Sequence, residues 1–302
     1  MSEFLMKPKI DFAFKEIMTD EIARAGFLSA VLSLNPADIR ETTILNTDLR
    51  KTHQDDKLGI LDVRVRLNDD TEIDIEVQLS ELTIWADRAL FYLAKMYTEQ
   101  ISAGENYDVL KKCVSISILD FKLFADSEEF YSCFHIREDM RHTLYTDKME
   151  FHVLELPKLP KELKENSNDL LLWAKFINAE KREEFEMLAE KNKSIEKAYE
   201  KLRVISQDEK KRMEYEAREK AIRDHNQMMK ESLERGLKQG IEQGIEQGIE
   251  QGIKRGRTEG AEQKAIDIAK RLLALSFPVD AIAEGTGLSV AQVEALKAQL
   301  GI

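Results

Sequence analysis

Residues 61–79 read LDVRVRLNDDTEIDIEVQL and contain two runs in which apolar and polar side chains alternate. Strict alternation is typical of β-strands that bury one face. Between the runs, residues 68–71 are Asn-Asp-Asp-Thr, a composition that favours a turn. The segment therefore predicts an antiparallel β-hairpin. Its strands present polar faces formed by Asp62, Arg64 and Arg66 and by Asp74, Glu76 and Gln78.

The flanking sequence adds helices and further strands. Apolar residues at helical spacing predict helices before and after the hairpin, and short apolar runs predict two later strands. The predicted helices span residues 10–18, 25–34 and 83–102, and the predicted strands span 113–121 and 151–156. Helices and strands in this order indicate an α/β fold with a mixed sheet.

The chain is acidic, and its charge is unevenly distributed. The 302 residues have a formal net charge of −12, and residues 1–150 hold 18 basic and 29 acidic side chains, a net charge of −11. Such a region is a poor electrostatic match for DNA, whose phosphates are bound by Lys and Arg. It suits a protein that gathers carboxylates around a divalent cation.

Cysteine content and hydropathy argue against disulfide-rich, cysteine–zinc and membrane-spanning proteins. Cys113 and Cys133 are the only cysteines, without a CxxC pair or a partner histidine pattern, which argues against a disulfide framework and a cysteine zinc site. No apolar run approaches the roughly 18 residues of a membrane span, and the first residues lack signal-peptide features. We therefore expect a cytoplasmic protein without a membrane partner.

The acidic side chains of the hairpin form a candidate site. If the strands pair through a tight turn, Asp62 converges with Glu76 and Gln78 on one face. Adjacent carboxylates repel each other, and a divalent cation such as Mg²⁺ relieves that repulsion. The pattern fits metal-dependent phosphodiester hydrolysis. A solvated polar face is the simpler alternative, but acids inside strong strand patterns are unfavourable without compensation, which favours a site.

Four motifs in order resemble the Rpn family of recombination-promoting nucleases, or transposases, within the PD-(D/E)XK nuclease superfamily. These motifs are Lys9–Lys15 (KIDFAFK), Gly59–Val63 (GILDV), Asp74–Gln78 (DIEVQ) and Arg88–Tyr92 (RALFY). The resemblance covers roughly residues 5–160. It implies a restriction-endonuclease-like core of mixed sheet flanked by helices, and Mg²⁺-dependent cleavage of DNA.

The resemblance also implies roles for individual residues. Asp62 matches the metal-binding aspartate of the family and Glu76 its second acid, whereas Gln78 occupies the position where the superfamily usually has lysine. Glutamine orients a water or a phosphate but supplies neither positive charge nor a base. The missing cation must come from elsewhere, and Lys15 and Arg88 are the candidates.

Two of these residues have a second interpretation. Asp11 is either an outer-sphere acid or the N-cap of the first helix, and the sequence does not separate the two. Arg88 is either a phosphate-binding cation or a surface salt-bridge residue.

The second half of the chain is predicted to be helical. We predict a nuclease-like domain over 1–160, a helical or coiled region over 161–235, a Gly-x-x-x repeat helix over 236–260 and a small helical module over 261–302, with almost continuous helix from 168 to 260. Glycine recurs at every fourth residue of the repeat and weakens an isolated helix. Packing against a partner restores the lost stability, so a self-associating helix is favoured over a flexible spacer.

The C-terminal module resembles a helix-turn-helix with Ser289 as the cap of its last helix. That helix offers only Gln292, Lys297 and Gln299 to DNA, so we favour a protein-docking or oligomerisation role over DNA reading. A start at Met228 or Met229 would produce a tail-only product.

Together these features predict a Mg²⁺-dependent DNA endonuclease that forms a homo-oligomer through its C-terminal half. The missing lysine and the acidic first half motivate one alternative. This alternative is a catalytically weak or inactive nuclease-derived protein with a DNA-binding or regulatory role.

Overall fold

A computed structural model describes residues 4–35, 39, 42–45 and 61–301, so Gly59 and Ile60 of the second motif lie outside the described residues. The chain divides into two compact units, Met1–Asn226 and Gln227–Ile302. The helices are α1 (Asp11–Ile17), α2 (Glu21–Leu32), α3 (Trp85–Thr98), α4 (Asp169–Asn178), α5 (Arg182–Lys191), α6 (Lys193–Gln207), α7 (Glu209–Ala274), α8 (Val279–Thr286) and α9 (Val290–Leu300). The strands are β1 (Thr43–Ile44), β2 (Val63–Arg66), β3 (Glu72–Gln78), β4 (Cys113–Leu119), β5 (Tyr131–Arg137) and β6 (Leu144–Glu155).

One six-stranded sheet organises the first unit, in the order β1-β2-β3-β4-β6-β5. The predicted hairpin is confirmed, because β2 and β3 pair antiparallel. Strand β4 pairs parallel with both β3 and β6, while β5 pairs antiparallel with β6. The sheet is therefore mixed, as the sequence predicts, and α3 connects the parallel strands β3 and β4.

The two faces of the sheet differ in chemistry. One face places apolar side chains such as Ile75 and Ile116 in the main core, where Phe27 meets Trp173 edge-to-face at 5.6 Å between ring centroids. The other face carries Asp74 and Glu76 and is covered by α3. There the Trp85 indole donates a hydrogen bond of 3.1 Å to Ser117 Oγ. The acids therefore lie between the sheet and one helix.

The edge strand β5 and the first half of β6 were not predicted. Strand β5 reads YSCFHIR, and its side chains are exposed or only half-buried because β5 lies at the edge of the sheet. An edge strand that buries little has no clean alternation of apolar and polar residues, so the pattern used to predict strands is weak there.

The predicted helical region from 168 to 260 is confirmed, but it is interrupted at residues 179–181, 192 and 208. The helices α4, α5, α6 and α7 are separate, and polar caps mark three of their starts. Asn168 Oδ1 accepts from Leu171 N at 3.0 Å, Asn192 Oδ1 from Ser194 N at 2.9 Å, and Asp208 Oδ1 from Lys211 N at 2.9 Å. A side-chain oxygen that binds these free N–H groups begins a new helix without any proline.

The first part of α7 packs back onto the N-terminal residues. Tyr215 is buried, its hydroxyl accepts a hydrogen bond from Lys7 N at 3.1 Å, and the Arg212 guanidinium lies 4.4 Å from the centroid of the Phe4 ring. Just before α7, Ser206 Oγ accepts from Met6 N at 3.0 Å. The first unit therefore continues to Asn226, whereas the sequence analysis placed a domain boundary near residue 160.

The second unit contains the repeat and the C-terminal module. Residues 236–260 are helical, and the repeat isoleucines are more than half exposed. The end of α7 packs with α8 and α9 around Leu273, Ile282 and Val293. Ser289 caps α9 as predicted, its Oγ accepting from Gln292 N at 3.3 Å. Within the described ranges, no helix has both the length and the apolar character that a membrane span requires.

Candidate active site

Asp62 and Glu76 lie side by side at one end of the hairpin ladder. The register pairs Val63 with Ile75, so the next residues outward are Asp62 and Glu76. Asp62 Oδ2 accepts a hydrogen bond from Val77 N at 3.0 Å, which holds the carboxylate against β3. Burial raises the pKa of Asp62 above its ordinary value. The hairpin thus brings the two acids together, as the sequence analysis expected.

Glu76 is buried and only partly paired. Its Oε2 accepts a hydrogen bond from Arg88 Nη2 at 3.2 Å, whereas its buried Oε1 has no hydrogen-bond partner among the described residues. Burial raises the pKa of Glu76 to about 7, the negative charge of Asp62 adds to that rise, and Arg88 opposes it. Burying a carboxylate oxygen without a hydrogen-bond partner costs free energy, unless a ligand such as a metal ion binds that oxygen.

Asp74 is a third acid of this cluster and was not included in the predicted site. It is 1% exposed, and its Oδ1 has no hydrogen-bond partner among the residues the structure describes. Burial, and then the charges of Glu76 and Asp62, raise the pKa of Asp74 well above its ordinary value. Asp74 is therefore protonated at pH values where an exposed aspartate is charged.

Gln78 lies beside an open cleft of about 220 Å³. The cleft is lined by Asp11, Val77, Gln78, Leu79, Ser80, Arg218, Ala221, Ile222 and His225. Gln78 Nε2 donates to the backbone carbonyl of Ser80 at 3.0 Å, which turns the amide group in a defined direction. The cleft lies between the end of β3 and the first part of α7.

Asp11 contacts a residue from the far end of the first unit. Arg218 Nε donates to Asp11 Oδ2 at 2.7 Å, and Arg218 Nη2 forms an ion pair with the same oxygen. The other oxygen of Asp11 is buried and has no partner in the described part of the chain. The N-cap interpretation of Asp11 is wrong, because Ile10 occupies that position. The charge of Asp11 contributes to the raised pKa of Asp62, which places Asp11 close to the hairpin acids.

The two cations proposed from the sequence occupy different environments. Arg88 contacts Glu76 and lies over the rings of Trp85 and Tyr92, at 5.4 and 5.2 Å from their centroids. Lys15 is exposed on α1, with no hydrogen bond or ion pair to any residue in the described segments. Arg88 therefore contacts the acidic cluster through Glu76, whereas Lys15 contacts none of these acids in the described segments.

Arg218 is the basic residue that sequence reasoning missed. It lies on α7, where lysine and arginine are frequent and no local pattern distinguishes one of them. The available signal was the net charge of −11 over residues 1–150, which favours a further cation from residues 151–302. Arg218 side-chain atoms are 56% exposed, so the guanidinium is open to a ligand in the cleft.

The raised pKa of Glu76 predicts a pH-dependent stability. Without divalent cations, the folded protein keeps a proton on Glu76 between its ordinary pKa of 4.5 and the raised pKa of about 7, whereas the unfolded chain has lost it. The free energy of unfolding therefore falls as pH rises through this window, by about 1–3 kcal/mol for this residue. Urea unfolding in EDTA at pH 4.5, 6 and 8 measures the decrease.

The variant Glu76→Gln provides the control, because its amide does not titrate. We expect a flatter pH dependence for Glu76→Gln and a higher free energy of unfolding than wild type at pH 8 in EDTA. Equal slopes for the two proteins between pH 4.5 and 8 would contradict the raised pKa of Glu76.

Comparison with known proteins identifies the family. A family model described as PD-(D/E)XK nuclease family transposase matches residues 8–232, about three quarters of the chain. Searches of curated proteins and of solved structures give no match. The matched region contains the hairpin acids and Arg218, and the mixed sheet agrees with the restriction-endonuclease-like fold implied by the resemblance. The chain therefore belongs to the PD-(D/E)XK nuclease family transposases.

Proposed function

We propose that this protein hydrolyses phosphodiester bonds of DNA in a Mg²⁺-dependent reaction, with Asp62 and Glu76 as the metal-binding residues. The observation that supports the proposal best is the buried Glu76 Oε1, which has no partner among the described residues and belongs to a carboxylate next to Asp62. Oxygen ligands from one or two carboxylates are the set that Mg²⁺ prefers when phosphate and water complete its shell.

The surrounding residues fit this proposal. Buried oxygens of Asp11 and Asp74 also lack partners among the described residues, so the pocket is rich in unused oxygen acceptors. When bound, Mg²⁺ lowers the pKa of a coordinated water and offsets negative charge on the phosphate. Asp11 is near enough to act from the outer sphere, with Arg218 holding it in place.

Other side chains then position the reactants. Gln78 lines the cleft, and with its amide nitrogen bound to Ser80 its Oε1 is oriented to accept a hydrogen bond from the attacking water. Arg218 compensates for the charge of the bound phosphate, a role that the sequence analysis gave to Lys15 or Arg88. Arg88 keeps Glu76 oriented and shares the phosphate charge.

The test is nicking of supercoiled plasmid by the purified protein in Mg²⁺ and in EDTA. We expect nicked circles in Mg²⁺ and none in EDTA. A folded preparation without nicking in Mg²⁺ or Mn²⁺ would oppose the proposal. It would instead favour the alternative, a nuclease-derived protein with a DNA-binding or regulatory role. The specific observation behind this alternative is the uncharged Gln78 at the position where the superfamily usually has lysine.

We also propose that the protein forms homo-oligomers through its C-terminal half. The repeat isoleucines form an exposed row, Ile245 is 58% exposed, and a Cβ added at any of the repeat glycines meets nothing within 4 Å. A second helix that approaches the glycines would bury this row. The repeat therefore has the features of a helix that packs against a second helix.

The cytoplasmic location stays a prediction.

Light scattering after gel filtration tests the oligomer. We expect Ile245→Asp to shift the mass toward that of the monomer, because a charge in a buried apolar row is unfavourable. Glu246→Gln, at the next and more polar position, should leave the mass unchanged. A monomeric wild-type protein at micromolar concentration would refute oligomerisation.

A further inference from the structure

Four potential metal ligands meet on the face of the sheet opposite the acids. In the β5–β6 ladder, Cys133 pairs with His152 and His135 pairs with Glu150, so all four side chains project to the same side. Strand β6 also pairs Glu150 with Val114 and His152 with Ile116, which belong to the main core face. This cluster is therefore separated by the sheet from Asp62 and Glu76.

The ligand atoms have the spacing of a metal site. One atom each from Cys133, Glu150 and His152 lies within 4.8 Å of the others. Cys133 Sγ is 3.6 Å from Glu150 Oε1, and that oxygen is 2.8 Å from His152 Nε2. Ligands of tetrahedral Zn²⁺ are about 3.3–3.6 Å apart, given Zn–S near 2.3 Å and Zn–N near 2.0 Å. Small side-chain rotations bring the three atoms to that spacing.

His135 lies next to these three residues and is a potential fourth ligand. Its Nδ1 lies 3.8 Å from Cys133 Sγ, and its Nε2 lies 3.6 Å from Glu150 Oε2. Cys133 is exposed, so a metal ion reaches the cluster from solvent, while His152 is 2% exposed and anchors the site from inside. A cysteine, two histidines and a carboxylate are ligand types that suit zinc.

The residues behind the cluster orient His152 toward it. Tyr131 Oη lies 2.7 Å from His152 Nδ1 and donates to the carbonyl of Val31 at 3.2 Å. With the hydroxyl proton directed to Val31, Tyr131 accepts from Nδ1–H, so Nε2 is the ring nitrogen that faces Glu150 Oε1 and the cluster. Metal-binding histidines commonly have such an outer hydrogen bond. Lys112 forms an ion pair with Glu150 Oε2, which leaves Oε1 facing Cys133 and His152.

In the absence of metal, the Cys133 thiol donates a hydrogen bond to Glu150 Oε1. Metal binding would replace the S–H bond with a thiolate–metal bond and release the proton to solvent.

We propose that Cys133, Glu150, His152 and His135 bind a Zn²⁺ ion that fastens the edge strand β5 to β6. The site is independent of the proposed nuclease centre. The proposal reverses the sequence analysis, which argued against a cysteine zinc site. The spacing was uninformative because the ligands form two pairs, Cys133-x-His135 and Glu150-x-His152, fifteen residues apart. Only the pairing of the strands joins them.

Cobalt substitution tests this proposal on the full-length, reduced protein. Co²⁺ bound to a thiolate gives a charge-transfer absorption in the near ultraviolet, which an all-oxygen site does not give. We expect the band to reach its maximum at one equivalent of Co²⁺ and to disappear when Zn²⁺ is added. Zn²⁺ should also raise the thermal unfolding midpoint.

Variants assign the band to the cluster. Cys133→Ser should abolish the band and the shift in the midpoint, and His135→Gln should weaken Co²⁺ binding about tenfold or more. Asp62→Asn should keep the band, and so should Cys113→Ala, which removes the other thiol. A folded, reduced wild-type protein without a thiolate band overturns the proposal, as does a band that survives Cys133→Ser.

Discussion

Replacing Asp62 with asparagine is expected to reduce Mg²⁺-dependent plasmid nicking by about a thousandfold or more. The substitution keeps the size of the side chain but removes one of the two carboxylates proposed to bind the ion. A bound metal supplies several kcal/mol of stabilisation to charge on the phosphate, and each 1.36 kcal/mol is worth about tenfold in rate. The rate of conversion of supercoiled to nicked plasmid measures the loss.

A matched strand aspartate controls for nonspecific effects. Asp147 is exposed on β6, away from the hairpin acids in the strand order, so Asp147→Asn should nick at the wild-type rate. Glu76→Gln should lose activity to a similar extent as Asp62→Asn, and the double variant should be little worse than either, because both residues serve one ion. Full activity in folded Asp62→Asn would contradict the proposed metal site.

Replacing Arg218 with glutamine is expected to lower the nicking rate by about ten- to a hundredfold. Arg218 pairs with Asp11 at the cleft and is the cation proposed to compensate for the absence of lysine at position 78. A hydrogen bond to a charged group contributes about 1.5–3 kcal/mol, which corresponds to that range of rates. Initial rates at saturating Mg²⁺ and several plasmid concentrations separate weaker binding from slower cleavage.

A second arginine of the same helix provides the comparison. Arg223 is exposed and pairs with Glu219 at 3.1 Å, so Arg223→Gln should stay within about twofold of the wild-type rate. Arg218→Lys should recover part of the activity, because it restores the charge but not the planar guanidinium. If Arg218→Gln changes only the stability of the protein and not its nicking rate, Arg218 is a structural residue.

The hairpin was predictable because its pattern is local. Alternating residues from 61 to 79 and the turn between them specify two strands and the face that carries the acids. The caps of the later helices are equally local, and Ser289 was recognised from such a pattern. Asn192 and Asp208 were overlooked because a stretch rich in Lys, Glu and Ala suggests uninterrupted helix.

The contacts between distant segments were not predictable in this way. Arg218 reaches Asp11 across 207 residues, and its own surroundings in α7 resemble those of other basic residues on that helix. The Cys133 cluster depends on the pairing of an edge strand whose pattern is weak. In both cases the identity of the partner follows from tertiary packing and not from spacing along the chain.

The contact of residues 4–11 with residues 206–218 has a consequence for biosynthesis. A chain is synthesised from its N-terminus, so the hairpin acids leave the ribosome well before Tyr215 and Arg218. A nascent chain ending near residue 160 holds Asp62 and Glu76 but not the helix that closes on the first residues. The contacts of Tyr215 and Arg218 with residues 7 and 11 form only after this late segment has left the ribosome. Until then, the nascent chain lacks the Arg218 side of the cleft.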